Sequence, residues 1–338
     1  MTMESLNIVF TGKNQVEVVR ESLSALEPGQ ILVEARCSLI STGTEGICLG
    51  RLFEPDSHWD HWVKYPFYPG YNMAGVVREV GAGVSDWKPG DRVAARTGHR
   101  LYNITNVEGA RLAKIPDAVS DETACWFGMA SIAQTGVRAA SHKLGDSVVI
   151  IGMGLLGQLV TQFVRLMGAR EIIAIDTSEP RLQMAKAHGA TQTLAMGVAE
   201  AHDAVWELTS GRGADVVYDI TGHPAVFAPA LGLARRFGEL LLLGDAGSPS
   251  EQRLTSDVIL RGVRIIGAHD GHPPVVATDD NYWSVLHMTE LFFTYLQREQ
   301  MRLDDLITHR YKPEQASEAY EMLMTNRSAA MGVVFDWT

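Results

Sequence analysis

One stretch of this chain has residues typed and spaced for nucleotide chemistry. Residues 147–176 read SVVIIGMGLLGQLVTQFVRLMGAREIIAID. The apolar run Val148–Ile151 predicts a buried parallel strand. It leads into Gly152-x-Gly154-x-x-Gly157 and then an apolar helix from Leu155 to about Met167. Gly152 permits a tight turn, Gly154 lets backbone approach a pyrophosphate, and Gly157 lets the helix pack close to the strand. The backbone N–H groups of Leu155 and Leu156, at the positive end of the helix dipole, suit phosphate oxygens. A second β-branched run, Ile172–Ile175, ends in Asp176, nineteen residues after Gly157. A carboxylate there accepts hydrogen bonds from ribose hydroxyls.

Asp176 also bears on which dinucleotide binds. Its charge repels a 2′-phosphate, so the sequence favours NAD over NADP. The following Thr177-Ser178-Glu179-Pro180 supplies no cation. Arg181, one turn into the next helix, reads either as a solvated residue or as a group that stacks on adenine.

A second chemical cluster is Phe53–Tyr68, FEPDSHWDHWVKYPFY. Aromatic rings interspersed with hydrogen-bonding groups suit the apolar faces and hydroxyls of a sugar or cyclitol ring. An aromatic cluster that pins a loop or a subunit contact fits the same residues. His58 and His61 titrate near neutrality and suit proton transfer, and His99 and Tyr102 are weaker candidates of the same kind.

The elements around these residues divide the chain. Short β runs (Ile8–Phe10, Val16–Val19, Ile31–Ala35, Met73–Val80, Arg92–Ala95) separated by Gly and Pro turns fill the first third. From about Asp121, helical stretches at 121–140, 154–168, 179–188, 200–209 and 223–236 alternate with strands at 147–151, 171–176, 191–195, 215–219 and 239–243. That alternation predicts a doubly wound parallel sheet, completed by β runs near 254–260 and 263–267. A long amphipathic helix at 281–298 and a strand–helix–strand tail follow, with the tail expected back on the first domain. At 338 residues, two domains are expected. A net charge of −11 argues against nucleic-acid or anionic-membrane partners. No apolar run approaches the roughly 18 residues of a membrane span, and the start MTMESLNIVF lacks a secretory pattern. Cys37, Cys48 and Cys125 have neither metal-like nor disulfide-like spacing. These features point to a reduced, cytoplasmic protein.

Two further motifs carry a family resemblance: Pro69-Gly70-Tyr71-Asn72-x-x-Gly75-x-Val77-x-x-Val80-Gly81-x-Gly83-Val84, and Lys88-Pro89-Gly90-Asp91-Arg92-Val93. With the dinucleotide segment they resemble the medium-chain dehydrogenase/reductase superfamily. The resemblance implies an α/β protein: a GroES-like β-rich catalytic domain at 1–130 and 270–338, and a Rossmann dinucleotide-binding domain, a doubly wound parallel sheet, at 131–269. It puts the active site in the cleft between them. It also implies that Thr135, Thr221, Gly244 and Ala246 line the nicotinamide.

The departures from that family matter as much. Zinc members hold their metal with a Cys in Gly-Ile-Cys-Gly-Thr-Asp, the His of Gly-His-Glu, and a later Cys or Glu. By resemblance these positions hold Thr42, Tyr71 and Gly128 (Phe127 if the register slips), with Asn72 at the Glu. None is a good zinc ligand. The four-cysteine structural lobe is also missing, since residues 94–115 contain no Cys. No metal site is therefore expected. Leu39-Ile40-Ser41-Thr42-Gly43-Thr44-Glu45 is similar to a zinc-lacking branch that includes bacteriochlorophyllide a dehydrogenase and sugar- or cyclitol-linked alcohol dehydrogenases.

Without a Lewis acid, a side chain must exchange the proton with the substrate oxygen. Thr44 corresponds to the hydroxyl that relays protons in zinc relatives. Tyr71 stands at a former ligand position, with His61 as the alternative carrier. Glu45 reads as a base or, more simply, as the partner of an Arg or Lys. The expected activity is NAD-dependent, zinc-independent interconversion of a secondary alcohol and ketone on a polyhydroxylated small molecule. A quinone or enoyl reductase, or a nucleotide-binding protein without turnover, are the alternatives. An unpaired edge near Val263–Gly267 points to a homodimer or homotetramer.

Overall fold

The computed structural model describes residues 3–109 and 111–338. By compactness the chain forms two units, residues 1–129 with 273–338, and residues 130–272.

In the first unit, β1 (Glu4–Gly12) and β2 (Gln15–Ser22) form a hairpin. Then come β3 (Gln30–Leu39), helix α1 (Thr44–Gly50), a short helix α2 (His58–Trp62), β4 (Met73–Val80), β5 (Arg92–Ala95), β6 (Tyr102–Asn106), β7 (Leu112–Lys114) and helix α3 (Asp121–Ala124). The sequence pattern identified β1 to β5. It missed α1, α2, β6 and β7, whose short runs carry no sustained period.

Helix α4 (Phe127–Ala139) carries the chain into the second unit. That unit contains β8 (Ser147–Ile151), α5 (Leu155–Leu166), β9 (Glu171–Asp176), α6 (Glu179–His188), β10 (Gln192–Ala195), α7 (His202–Leu208), β11 (Ala214–Asp219), α8 (Pro224–Leu233), β12 (Ala234–Leu242), a short helix α9 (Asp257–Leu260) and β13 (Arg264–Gly267). Over the described residues its sheet has six strands, ordered β10-β9-β8-β11-β12-β13, and all pair in parallel. This is the doubly wound order, and it reverses between β8 and β11. Both central strands are buried throughout, as a parallel sheet covered on two faces requires.

One expected strand is corrected. The run at 254–260 is not a strand but holds α9, whose N-cap is Ser256 and whose first residue, Asp257, accepts from the Thr255 hydroxyl at 2.6 Å. Arg261 then donates to the carbonyls of Ala234 and Leu231, which ends the helix against α8. Val258-Ile259-Leu260 looked like a buried strand by composition, but Ile259 and Leu260 are 84% and 75% exposed.

The chain returns to the first unit through α10 (Val285–Gln297), β14 (Ile307–Tyr311), α11 (Ala316–Thr325) and β15 (Gly332–Asp336). Strand β15 pairs with β3, so the tail lies in the β-rich sheet. That sheet runs β14-β15-β3-β4-β5-β7, with β6 also on β3. Its core packs Ile8, Phe10, Val33, Val93, Tyr320 and Phe335.

Candidate active site

The glycine turn of the second unit joins β8 to α5 in a tight turn that two of its glycines make possible. Gly152 takes φ +97°, which only glycine adopts at low cost. A side chain on Gly157 would strike the carbonyl of Gly152, so α5 approaches β8 as closely as it does only because residue 157 has none. Leu155 is buried and Leu156 half-buried at the helix start. Asp176, at the end of β9, accepts from Met153 N–H at 2.7 Å through Oδ2 and from Ser178 N–H at 2.8 Å through Oδ1. Its carboxylate is thus fixed against the turn. Arg181 is half-buried, and its carbonyl accepts from Gln158 at 2.9 Å. Burial lowers the Arg181 pKa, while the charge of Asp176 opposes that fall.

Across the switch point stands Thr221, whose methyl group lies 2.9 Å from where a Cβ on Gly152 would sit. Its hydroxyl donates to Asp219 at 2.7 Å. Gly244 N–H donates to the Asp219 carbonyl at 3.0 Å, and Ala246 is buried. Thr135 uses its hydroxyl within α4, donating to Ser131 O at 2.9 Å, and the neighbouring Gly136 packs on Leu243. The sequence-predicted cofactor positions on β8, β9, β11 and β12 thus meet at the carboxyl ends of the strands, where doubly wound sheets take nucleotides.

In the first unit, the Tyr71 hydroxyl lies 2.6 Å from Ser41 Oγ and also bonds the Thr44 side chain. The Arg96 guanidinium stacks over the Tyr71 ring, with Cζ 4.7 Å from its centre. Burial pushes the phenol pKa up to about 12, although these two hydroxyls and Arg96 pull the other way. The group is therefore a neutral donor at physiological pH.

Glu45 follows in α1 but is 1% exposed. It accepts from Ser41 N–H at 2.7 Å and from the Tyr320 hydroxyl at 2.5 Å, and lies 3.1 Å from His99 Nε2. The expected Arg or Lys partner is corrected to this buried histidine, tyrosine and backbone amide. His99 reaches on to Ser38 at 2.8 Å, to which Trp337 also donates at 2.9 Å.

His61 is exposed on α2, with Nδ1 on its own helix at Ser57 O, 2.8 Å away. Among the described residues no hydrogen bond or ring contact links it to Tyr71. The rings of the 53–68 segment pack on one another instead. Trp59 lies against Trp62 at 5.7 Å, and Trp62 stands edge-on to Phe67 at 5.3 Å. The Tyr65 hydroxyl donates to Cys48 O at 2.8 Å. Tyr102 bonds Glu34.

Comparison with known proteins fits this geometry. Residues 27–109 match the alcohol dehydrogenase GroES-like domain family, and residues 156–281 match the zinc-binding dehydrogenase family. The chain belongs to the medium-chain dehydrogenase/reductase superfamily. It is an alcohol–ketone oxidoreductase of the alcohol dehydrogenase type. It is 29% identical over 310 residues to L-threonine 3-dehydrogenase of Symbiobacterium thermophilum, covering 82% of this chain and 85% of that one. With the Bacillus subtilis enzyme of the same name it shares 27% over 307 residues, 80% and 83% of the two chains. Galactitol-1-phosphate dehydrogenase of Escherichia coli shares the fold with a TM-score of 0.81 at 21% identity, over 99% of this chain and 100% of that one.

Membership of a family with zinc-binding members makes the metal positions of this medium-chain dehydrogenase a test of fit. Thr42 and Tyr71 offer hydroxyls only. Gly128 offers no ligand, and the Asn72 amide oxygen already fills the place where a side chain at 128 would start. Asn72 is fully buried, and neither its Oδ1 nor its Nδ2 has a hydrogen-bond partner among the described residues. Among those residues no group of three His, Cys, Asp or Glu could hold a metal. The residues present do not fit zinc.

Ser41, Arg96, Tyr320 and the Asn72–Gly128 contact escaped the sequence reading. Ser41 and Asn72 lie inside the quoted motifs, so their positions were visible, but the residues they meet, Tyr71 and Gly128, lie far along the chain.

Proposed function

We propose that this medium-chain dehydrogenase works without zinc, prefers NAD, and interconverts a secondary alcohol and ketone on a small polyhydroxylated substrate. The observation that carries the reading is Tyr71, a neutral phenol held by Ser41 and Thr44 at the position of a lost metal ligand. NADH, when bound, would supply the hydride to the carbonyl carbon. Tyr71 donates its hydrogen bond, and then its proton, to the carbonyl oxygen. The alkoxide that forms is a stronger base than the phenolate left behind, so the transfer runs downhill, and solvent restores the proton through Thr44 or Ser41. In alcohol oxidation the same steps run backwards, and the raised phenol keeps Tyr71 in the protonated form that reduction uses.

Glu45 acts as a positioning residue, since its carboxylate ties the Ser41 backbone to the core. His61 is the second proton carrier to test. The packed aromatic segment on α2 serves as a wall, and the hydroxyls of the 41–44 turn favour a hydroxylated substrate. Asp176, already aimed by two backbone N–H groups, supports NAD.

The test is reduction of ketoses, inososes, quinones and enones with NADH, before and after prolonged chelation. Ketose or inosose reduction that survives chelation, with well under one zinc per chain by elemental analysis, is expected. Stoichiometric zinc with activity lost on chelation would overturn the reading. Turnover confined to quinones or enones, or none at all, would move the protein to another class.

A further inference from the structure

A buried carboxyl group ends β11, the strand beside the switch point of the parallel sheet. Asp219 is 1% exposed. Its Oδ1 accepts from Thr221 N–H at 2.9 Å and from the Thr221 hydroxyl at 2.7 Å. Its Oδ2 is buried and has no hydrogen-bond partner among the described residues. A buried acceptor left unpaired is costly, and more so when charged, so native proteins keep few of them.

The surrounding turns hold this arrangement in place. A side chain on Gly222 would strike Asp245 O, and one on Gly244 would strike Gly222 N, so the turns after β11 and β12 interlock backbone against backbone. The register neighbours of Asp219, Ile151 on β8 and Leu242 on β12, are apolar. Two titratable groups stand close by: His223, the N-cap of α8, and Asp245 in the turn after β12. Burial pushes the Asp219 carboxyl up, while the Thr221 hydroxyl, the N–H groups of Thr221 and Gly222 and the charge of His223 pull it down.

A positive charge brought by a ligand would offset the cost. A dinucleotide lies across the switch point, so with Asp176 on β9 taking one ribose, the nicotinamide half belongs to β11 and β12. The oxidised and reduced forms of NAD share one pyrophosphate and differ by a positive charge on that ring. Repulsion of the pyrophosphate by Asp219 therefore falls on both forms and cancels from their ratio. Attraction to the ring falls on the oxidised form alone, and a water-poor interior strengthens it.

We infer that Asp219 sets the preference of this protein between NAD⁺ and NADH, its carboxylate favouring the cationic ring. The inference rests on the NAD reading of the site and deepens it. Such a carboxylate also eases hydride departure in ketone reduction, because the charge left on the ring gains a partner. Binding of NAD⁺ should draw the raised carboxyl down and release a proton, so NAD⁺ binds more tightly as pH rises. The neutral ring of NADH should do neither.

The measurement is calorimetric titration with NAD⁺ and with NADH, from mildly acidic to mildly alkaline pH, in buffers of different ionisation enthalpy. Wild type, Asp219→Asn and His223→Asn are compared. Asn at 219 keeps an oxygen for Thr221 and drops the charge, and Asn at 223 keeps a cap for Ala225 N–H. Asp219→Asn should weaken NAD⁺ about tenfold, about 1.4 kcal/mol, leave NADH nearly unchanged and flatten the pH dependence. His223→Asn should retain that dependence. Should Asp219→Asn fail to fold, proton release by wild type and His223→Asn still decides. Equal weakening of both nucleotides by Asp219→Asn would leave Asp219 a turn-holding role and overturn the inference. A pH dependence abolished by His223→Asn, or proton release equal for the two nucleotides, would overturn it as well. In all three cases NAD binds and the dehydrogenase reading stands. The expected binding pattern without turnover of any ketone would keep the inference and overturn that reading. Binding of neither nucleotide would overturn both.

Discussion

The amide oxygen of Asn72 occupies the space that a side chain at Gly128 would need. The two residues are 56 positions apart in sequence and fill one volume. Gly128→Ala should therefore overpack the site and lower stability by about 1–3 kcal/mol. Asn72→Ala should be far less costly, because it removes two buried polar atoms that have no partner among the described residues. The Asn72→Ala/Gly128→Ala double variant should recover most of the loss, a coupling of about 0.5–3 kcal/mol. Thermal melts of all four proteins check this, and strictly additive changes would show that the two positions do not share space.

Tyr71→Phe keeps the ring and its stacking on Arg96 but removes the proton. It should lower kcat roughly 10²–10⁴-fold and leave NADH affinity almost unchanged. Wild-type turnover in this variant would release Tyr71 from the mechanism. His61→Ala would then be the next variant to assay.

The raised phenol has a consequence for stability. Tyr71 ionises near 10.0 when unfolded and at about 12 in the folded protein. Between those values the folded state holds the extra proton, so stability falls as pH rises through that window. Below pH 10 the contribution is fully present. Burial raises Tyr218 and Tyr320 in the same direction. Melting temperature should drop from pH 10 upward, and Tyr71→Phe should make the drop shallower. An identical pH slope in the variant would contradict the burial of the phenol.

The fixed carboxylate of Asp176 predicts cofactor choice. NADH should bind at least about tenfold more tightly than NADPH, about 1.4 kcal/mol, and Asp176→Ala should narrow that gap. Asp176→Asn keeps an oxygen for Met153 N–H while dropping the charge, so it separates repulsion of a 2′-phosphate from loosening of the turn. Equal affinities in wild type by titration calorimetry would defeat the preference.

The edge strand β13 predicts association. Its neighbourhood exposes Phe237 at 59%, Leu254 at 69% and Ile265 at 36%, beside the exposed pair on α9. An unpaired edge flanked by apolar groups pairs readily with a second copy. Light scattering at micromolar concentration should give a dimer or a tetramer, and Ile265→Lys should shift it towards monomer. A wild-type monomer would refute the assignment.

The parallel-sheet unit was far more legible in the sequence than the rest. Val148–Ile151 is apolar without interruption because both faces of its strand are covered, and Gly152 and Gly157 beside it each have a steric reason. The run Val258–Leu260 misled because composition cannot tell a buried strand from an exposed apolar helix turn. The candidate site cluster was legible only in part. Tyr71 and Thr44 stood out by position, but the Glu45–His99 pair joins residues 54 apart.

Trp337 closes the network around Ser38 and His99, and β15 completes the sheet beside β3. The surroundings of Tyr71 therefore draw on residues across nearly the whole chain, whereas the parallel sheet uses residues 130–272 alone. On a ribosome the two units would mature at different times. Once residue 272 has emerged, the nucleotide-type unit has every strand it needs. Ser38, Glu45 and His99 must wait for residues 307–337 before their polar groups are covered. A nascent chain would complete its parallel-sheet fold first and the surroundings of Tyr71 last.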